Sequence, residues 1–575
     1  MTHIISKSLT RLKYITSKYS WHLIACLALM VIVMGFWGFR EIYPDRNSYP
    51  ATRILYLTLQ LFTMKSGDVV PMNLYLEFAR WGGAMVVFGA ILKTLATSLK
   101  QQIDASFLKR VRNHTIVIGA GEIADHIANH FLENRQTVVR VFPSESGSAK
   151  PIESRPNLFE MKAQPYTKDL LQRISLLRAK VVFVVHQCDE QNFRSLMEIA
   201  PGMQEHLRSN TTPPACCVYI DSPETVNPLI DAMNLKKLNI SFFNHRENSA
   251  RHFLKHTNLD AFVLKNKSPE IFVVGHSLIR KPMVLQIARS FLSPDETRIK
   301  MTFISPDANN FCSGLAEEFP QLEKLIELNP VQEQFQNQAV LRLLENGKDK
   351  CIAPILILDD NQLEGMSLAN KILETGLVSA YQICIYQPNG ETFENSRQFL
   401  PSDGDVPEIL GDFKTVCDGD AIYNNTIDQT AKVVHQTYLD SQLRNGVKIN
   451  SKPSIRDWND LNSFFREANR RQADHFYAKL RMAGLMLVET DESHSEPFEF
   501  EMEEIELLAR IEHRRWAAEL YLDGWKYGET RNDLKKLHPN LVPWEQLTEA
   551  IKDYDRQPVK QIPSILAQMN LQIQR

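Results

Sequence analysis

The chain has few of the residues that mark fibrous, disordered or disulfide-rich proteins. Glycine and proline number 23 and 28 of 575 residues, which excludes collagen-like and proline-rich classes. The eight cysteines form no C-x-x-C pair and no zinc-type cluster with histidine, so we expect reduced thiols in cytosolic domains. A net charge of −3 gives no reason to expect a nucleic-acid partner. The length predicts roughly three to five domains.

Long apolar runs are confined to the N-terminal region, where two could cross a membrane. Residues 21–39 (WHLIACLALMVIVMGFWGF) would reach about 28 Å as a helix, and no cleavage site follows them. The second run, strongest at 81–92, contains glycines that let helices approach closely. Basic residues precede the first run and follow the second. They predict a protein of the bacterial inner membrane, in contact with lipid, with both termini in the cytoplasm.

The segment between these runs, 51–73, reads ATRILYLTLQLFTMKSGDVVPMN. Its apolar part, 54–62, is too short to cross a membrane but apolar enough to enter it. The segment resembles the pore loop of two-span potassium channels, where a short helix leads into T-V-G-Y-G-D. The resemblance implies a filter formed by Thr63, Met64, Lys65, Ser66, Gly67 and Asp68.

Two departures from the family pattern bear on selectivity, because Lys65 replaces a glycine and Ser66 replaces the tyrosine. Selective filters coordinate the ion with backbone carbonyls, and four lysines on one axis would repel cations. The segment therefore favours a pore but not strict potassium selectivity. The alternative is a plain loop that joins two membrane anchors.

A glycine-rich turn opens the next region, 113–262. The apolar run 115–118 is followed by Gly119, Gly121 and Ala124 in the pattern G-x-G-x-x-A, and then by a helical pattern. Such a turn can place a phosphate at a helix N-terminus. The acid that usually holds a ribose is missing after the next strand, where Glu145 is the nearest candidate. Alternating strands and helices predict a parallel, doubly wound sheet.

This region resembles the RCK family, the regulators of potassium conductance, including the piece LLQRISLLRAKVVFVVHQCDEQNF. The resemblance implies that NAD(H) or an adenine nucleotide binds at the turn. The alternative is a Rossmann fold that serves as an assembly scaffold. No acid/base set stands beside the turn, so an enzyme is not expected.

Residues 267–440 show a second alternation of strands and helices, with Gly275 as the remnant of a phosphate-binding turn. Asp359 and Asp360 end a strand there, and a solvated pair is favoured over metal ligands. Channels of the RCK type often carry two such domains. The resemblance therefore implies a homotetramer with a ring of eight domains.

The C-terminal region, 452–575, is expected to be helical, with an acidic loop at 489–506. From about residue 505 to 570 the chain resembles the ryanodine-receptor (RyR) repeat, through residues such as those of EHRRW and DGWKYG. Aromatic faces among guanidinium groups suit a stacked base with phosphates. The candidate ligand-binding residues are Trp516, Trp525, Tyr527, Arg531, Trp544 and Arg556. The alternative is that these aromatic residues form the core of a small domain.

Together these patterns predict a membrane α-helical hairpin with a re-entrant pore loop, two doubly wound RCK/Rossmann domains and a small α-helical RyR domain. The predicted pore domain is 21–99, preceded by a cytosolic segment 1–20 and followed by a linker 100–112. The predicted function is a potassium-channel-like cation channel gated by a nucleotide-derived small molecule. Two alternatives are an antiphage effector whose pore opens on a nucleotide messenger and depolarises the membrane, and a non-conducting nucleotide sensor anchored in the membrane.

Overall fold

The computed structural model divides the chain into two compact units, Met1–Arg110 and Val111–Arg575. The structure describes residues 20–63, 73–108, 110–142, 155, 157–162, 167–208, 213–222, 229, 238–257, 269–292, 297–333, 340–342, 354–376, 383–389, 407–423, 428–490 and 498–575. The predicted filter residues Met64, Lys65, Ser66, Gly67 and Asp68 lie outside these ranges, as does Glu145.

The first unit contains two long apolar helices, which confirms that prediction. Its helices are α1 (Ser20–Ile42), α2 (Ala51–Gln60, extended by a 3₁₀ turn at Leu61–Thr63) and α3 (Leu74–Leu108). Windows of α1 and α3, Trp21–Ile42 and Leu74–Leu95, are long and apolar enough to cross a membrane, with mean hydropathies of 2.2 and 1.2. Large side chains on both helices point outward, including Trp37, Phe78, Trp81 and Phe88. An apolar surface of this kind suits lipid rather than water.

The short helix α2 packs against both long helices through small residues. A Cβ added at Gly35 would lie 2.7 Å from the Thr58 side chain, and one added at Gly83 would lie 3.0 Å from the Leu61 carbonyl. The buried Thr58 hydroxyl donates to the carbonyl of Ile54 at 2.9 Å, so it brings no unsatisfied polar group into the contact. Helix α3 continues to Leu108, so most of the predicted linker is helical.

The second unit begins with a six-stranded parallel sheet in the order β3-β2-β1-β4-β5-β6. Its central strands are continuous apolar runs, as expected for a sheet covered on both faces. The strands are β1 Thr115–Ile118, β2 Val138–Phe142, β3 Leu158–Lys162, β4 Val181–Val184, β5 Ala215–Tyr219 and β6 Ile240–Phe243. The helices are α4 Glu122–Glu133, α5 Lys168–Arg173, α6 Asp189–Arg208 and α7 His245–His256, with a 3₁₀ turn at Leu176–Arg178.

A second six-stranded parallel sheet repeats this topology, with the order β12-β11-β10-β7-β8-β9. Both sheets place their first strand beside their fourth, which is the doubly wound arrangement predicted from the sequence. The strands are β7 Glu270–Val274, β8 Ile299–Ser305, β9 Ile326–Gln332, β10 Ile355–Ile357, β11 Ile383–Tyr386 and β12 Glu408–Leu410. The helices are α8 Arg280–Ser290, α9 Ala308–Glu318 and α10 Gln362–Glu374, with a 3₁₀ turn at Leu322–Lys324.

The two sheet domains exchange helices. Helix α7 follows β6 of the first sheet, yet its Ala250 and Phe253 are buried in the core of the second sheet. Two short helices after β12, α11 (Phe413–Val416) and α12 (Gly419–Tyr423), place Phe413 and Ile422 in the core of the first sheet. Chain order therefore does not separate the two cores, and the domains are held together by apolar burial.

The C-terminal domain is mostly helical and forms its own core, which includes Trp544. Its elements are α13 Gln429–Arg444, α14 Ser463–Met482, β13 Met486–Glu489, α15 Met502–Leu522, β14 Lys526–Tyr527, β15 Leu537–His538, α16 Glu549–Ala567 and β16 Leu571–Gln574, with 3₁₀ turns at Trp458–Asp460 and Trp544–Gln546. Helix α15 begins inside the predicted acidic loop, so the loop prediction is wrong there. Its start is fixed by a capping box between Glu501 and Glu504.

Candidate functional site

The glycine-rich turn of the first sheet is present, and the described residues around it leave space beside Gly121. Gly119 has φ +126°, and a Cβ there would lie 1.9 Å from the Val185 carbonyl oxygen at the end of β4, so only glycine fits. Gly121 is the N-cap of α4, and the nearest atom to an added Cβ is 3.8 Å away in Gln187. Ala124 is fully buried in the first turn of α4. Among the described residues, only Gln187 lies within 4 Å of that added Cβ, so these residues leave room beside the first turn of α4, where a helix N-terminus can hold a phosphate.

Behind this turn a buried cation joins the helix to the sheet. Arg140 of β2 is fully buried and forms an ion pair with Asp125 of α4, and its Nη1 lies 3.7 Å from Glu160 of β3. Burial lowers the pKa of Arg140, and Glu160 opposes that shift. Asp125 is thus committed to the fold and not to a ligand. This pair was not predicted from the sequence, although a lone arginine within the run VVRVF could have indicated a buried partner.

Polar loops at the carboxyl edge of the first sheet are connected to one another by hydrogen bonds. The side chain of Asp189, at the start of α6, accepts the backbone N–H groups of Asp221 and Ser222 at 2.7 and 2.8 Å. His186, just after β4, lies 2.9 Å from the Ser195 hydroxyl, and burial lowers its pKa to about 4. His186 is therefore neutral at physiological pH and brings no charge to the turn.

The corresponding turn of the second sheet is filled by the chain's own carboxylates. Asp359, after β10, accepts the His276 N–H at 2.9 Å, and the Ser277 hydroxyl donates to Asp360 at 2.6 Å. The backbone at Gly275 is also closed in, because an added Cβ would lie 2.7 Å from the Leu358 carbonyl oxygen. Asp360 is exposed and Asp359 is half-buried, as expected for a solvated pair, and both side chains also hold this turn.

In the second sheet domain, the acidic residue at the position that could bind a ribose is already paired with an arginine. Asp307 lies two residues beyond β8, and the guanidinium of Arg280 donates to both of its oxygens at 3.0 and 2.7 Å. Partial burial raises the pKa of Asp307, but hydrogen bonds from Arg280, His276 and Ser305 outweigh it, so the pKa lies below its usual range. The turn at Gly275 and the carboxylate of Asp307 both have partners within the domain. The described residues of the second sheet domain therefore form no open nucleotide site.

A hydrogen-bonded chain connects the carboxyl edges of the two sheets. His245 lies between Tyr219 of β5, at 2.7 Å from Nδ1, and Tyr386 of β11, at 3.2 Å from Nε2. The Tyr219 hydroxyl donates to Asp221, which also pairs with Arg246. Burial, and then the nearby Arg246, lowers the pKa of His245 to about 3. A neutral His245 can therefore accept from Tyr386 and donate to Tyr219, which fixes one domain against the other.

In the RyR-like region, the candidate ligand residues Trp525 and Arg531 lie together, and Tyr527, two residues beyond Trp525, is exposed. The Arg531 guanidinium lies 5.8 Å from the Trp525 ring and donates to Asp533 at 2.8 Å, and Tyr527 is 54% exposed. Partly buried Trp516 is linked to this group by His538, whose ring centroid lies 4.9 Å from that of Trp516 and 6.1 Å from that of Trp525.

The other two candidates share a carboxylate, and the His513 ring lies between Trp544 and Trp516, at centroid distances of 5.8 and 5.5 Å. Trp544 is only 4% exposed, and its Nε1 donates to Glu506 at 3.1 Å. Arg556 donates to both oxygens of Glu506 at 2.8 and 3.0 Å and also to Glu549 and Asp553. This guanidinium already holds three acidic side chains, and Trp544 belongs to the domain core.

A buried ion network, which the sequence analysis missed, lies where α14 meets α15. Lys479 and Arg515 both pair with Glu512, and Arg515 also lies 2.9 Å from Glu519. Burial raises the pKa of Glu512, but the two cations outweigh it, so that pKa lies below its usual range. The spacing of acid, base and acid at i, i+3 and i+7 along α15 was the available signal.

Among the residues that the structure describes, no group of three or more His, Cys, Asp or Glu side chains could hold a metal ion.

Comparisons with known proteins match the C-terminal region to a family model and find solved structures of low sequence identity that cover up to 72% of the chain. Residues 498–575 match the family model described as RyR domain, which confirms that resemblance. The comparison with curated proteins finds no relative that matches. Similar solved structures include a crystal structure of GsuK bound to ADP, with 13% identity and a TM-score of 0.39, covering 72% of this chain and 97% of that chain.

Two further structures have the same character. The GsuK channel bound to NAD is 10% identical with a TM-score of 0.37, covering 72% of this chain and 83% of that chain. The GsuK RCK domain is 10% identical with a TM-score of 0.38, covering 55% of this chain and 78% of that chain.

Proposed function

We propose that the chain is one subunit of a cation channel of the inner membrane that is gated by a nucleotide-type molecule. The observation that carries the proposal is the combination, in one chain, of an apolar helical hairpin around a short third helix with a parallel sheet whose glycine-rich turn is open. The helices supply a pore architecture, and the turn supplies a phosphate site. Four copies around a common axis, with both termini in the cytoplasm, complete the proposed assembly.

Gating in this proposal is a matter of linkage. A ligand that binds one arrangement of the cytosolic domains better than another shifts the population toward the favoured arrangement. A tenfold change in opening requires only about 1.4 kcal/mol of differential binding. The turn at Gly119 and Gly121 is the first candidate for this ligand, because the corresponding turn of the second sheet is filled by Asp359.

Ion flux from the purified full-length protein in liposomes tests the proposal. ADP and NAD, the ligands named for the GsuK structures, are the first probes. We expect one of them to change the flux, and we expect Gln187→Glu to weaken that effect about tenfold, because a carboxylate beside the turn repels phosphate. Gln187 is exposed, so Gln187→Asn is a matched control that keeps the effect. Equal nucleotide responses in both variants would place the ligand elsewhere.

Ion flux and expression toxicity distinguish the cation channel from the two alternative functions. An absence of flux under every condition would favour the non-conducting sensor. Expression toxicity that depends on a nucleotide supply would favour the antiphage effector, which the loss of the filter glycine at Lys65 makes worth testing.

The predicted filter has its own test in Lys65→Gly. Four ammonium groups on one axis repel cations, so removing them should raise cation conductance and selectivity for potassium. Unchanged conductance and selectivity would show that this loop is not the constriction. Lys93→Gly, at another lysine of the first unit, is the control.

A further inference from the structure

A cavity of about 430 Å³ lies between the second sheet domain and the RyR domain. One wall comes from helix α15, where Arg510, Arg514 and Tyr521 face the cavity at intervals of four and seven residues, which places them on one helix face. Leu541–Pro543 and Trp544 continue this wall. The volume is in the range of small-molecule sites, roughly 300–1,000 Å³.

The opposite wall belongs to the second sheet domain and is also cationic. Arg298 precedes β8, and Lys324 ends the 3₁₀ turn after α9. The Arg298 guanidinium donates to the Glu323 carbonyl at 2.8 Å, which holds it beside the neighbouring Lys324 despite the like charges. The Lys324 ammonium lies 5.4 Å from the Tyr521 ring, so this contact crosses between the two domains.

The charge of this lining is strongly unbalanced. Among the described residues that line the cavity there are four cations, Arg298, Lys324, Arg510 and Arg514, and one carboxylate, Glu545. Glu545 pairs with Arg510 at 3.0 Å, and its side chain is 64% exposed. Like charges gathered around a partly enclosed space repel one another, and a bound polyanion would remove that repulsion.

We propose that this cavity binds the phosphate groups of a small phosphorylated molecule and thereby locks the RyR domain onto the second sheet domain. Arginine forks and a lysine are the groups that proteins use for phosphate, and here they converge from two domains. The anion bridges walls that would otherwise repel, so its binding stabilises their docking. The site is separate from the turn of the first sheet and does not depend on it.

Inorganic pyrophosphate is the probe, and isothermal titration of the full-length protein in detergent is the measurement. We expect binding that weakens steeply with salt, and a loss of about tenfold or more in affinity for Arg298→Gln/Lys324→Gln. Lys371→Gln, an exposed lysine of α10 in the same domain, is the matched control and should bind normally. Absence of pyrophosphate binding, or equal affinity in all three proteins, would overturn the proposal.

A second variant reverses the sign of the effect. Glu545→Gln removes the carboxylate from the lining, so pyrophosphate should bind several-fold more tightly, which a purely structural role would not produce. A weaker or unchanged affinity for Glu545→Gln counts against the site. The single variant Arg298→Gln, at an exposed position, keeps the test available if the double variant does not fold.

The source of the phosphate is distinguished by comparing the affinities for ADP and pyrophosphate in the Gln187→Glu background, where binding at the turn of the first sheet is expected to be weakened. Comparable affinities would support recognition of the phosphate groups. Binding of ADP without pyrophosphate would overturn it in favour of base recognition. Gln187→Glu alters only the turn of the first sheet. Loss of binding at that turn can therefore be told apart from loss of binding in the cavity.

Discussion

The buried network of Lys479, Glu512 and Arg515 makes a sharp prediction for Glu512→Gln. These side chains are 1%, 3% and 6% exposed, and Glu512 is paired with both cations. Removing one partner from a buried ion pair leaves an uncompensated charge and costs about 3–5 kcal/mol. Arg515 keeps its contact with Glu519, so most of the cost falls on Lys479. The affected region is the seam between α14 and α15.

Amide hydrogen exchange of the full-length protein measures this cost locally. We expect the opening free energy of α14 and α15 to fall by about 3–5 kcal/mol in Glu512→Gln. Glu519→Gln is the matched control, since its side chain is more exposed and it pairs with Arg515 alone among these cations, so its effect should be smaller. A double variant, Lys479→Met/Glu512→Met, should lose less stability than Glu512→Gln.

The sign of the pH dependence gives an independent check. Burial lowers the pKa of Lys479, and Glu512 opposes that shift. Without Glu512 the folded-state pKa falls further below the unfolded value of about 10.4. The unfolded chain then binds more protons, so the stability of the variant should rise as pH increases from neutral toward that value. A loss below about 1 kcal/mol, or no recovery at alkaline pH, would refute the assignment of a buried, charged network.

Three further predictions concern the sheet domains. Gly119→Ala should prevent stable folding of the first sheet domain, because the new Cβ would lie 1.9 Å from a carbonyl oxygen; the check is soluble yield and thermal unfolding. Tyr386→Phe should cost about 1–3 kcal/mol, because it leaves Nε2 of His245 without its 3.2 Å partner, measured by exchange at the joint between the sheets. Arg280→Gln should destabilise the second sheet domain by about 3–5 kcal/mol at neutral pH, because Asp307 loses its guanidinium, and lowering the pH should relieve part of that loss. If the melting temperature of one of these variants is unchanged, the contact described for that residue does not stabilise the fold.

The sequence predicted what depends on local pattern. The central strands TIVI, VVFV and ACCVY are continuous apolar runs, and a parallel sheet covered on both faces requires such runs. The four edge strands β3, β6, β9 and β12 were not predicted, because an edge strand is only partly buried and need not be a continuous apolar run. The RyR resemblance was readable for the same reason as the apolar helices, since the defining residues lie close together in sequence.

Only the tertiary structure decided how the sites are occupied. Asp359 bonds to the N–H of His276, 83 residues earlier in the chain, and this contact closes the second turn while the first stays open. Arg298 and Arg510 line one cavity although no local pattern connects them. Periodicity and motif spacing report interactions within a few residues, so the sequence determined the elements and their order. Packing between segments that are distant in sequence decides which charged groups come into contact. It also decides that the turn at Gly275 is filled by aspartate side chains whereas the turn at Gly119 is not.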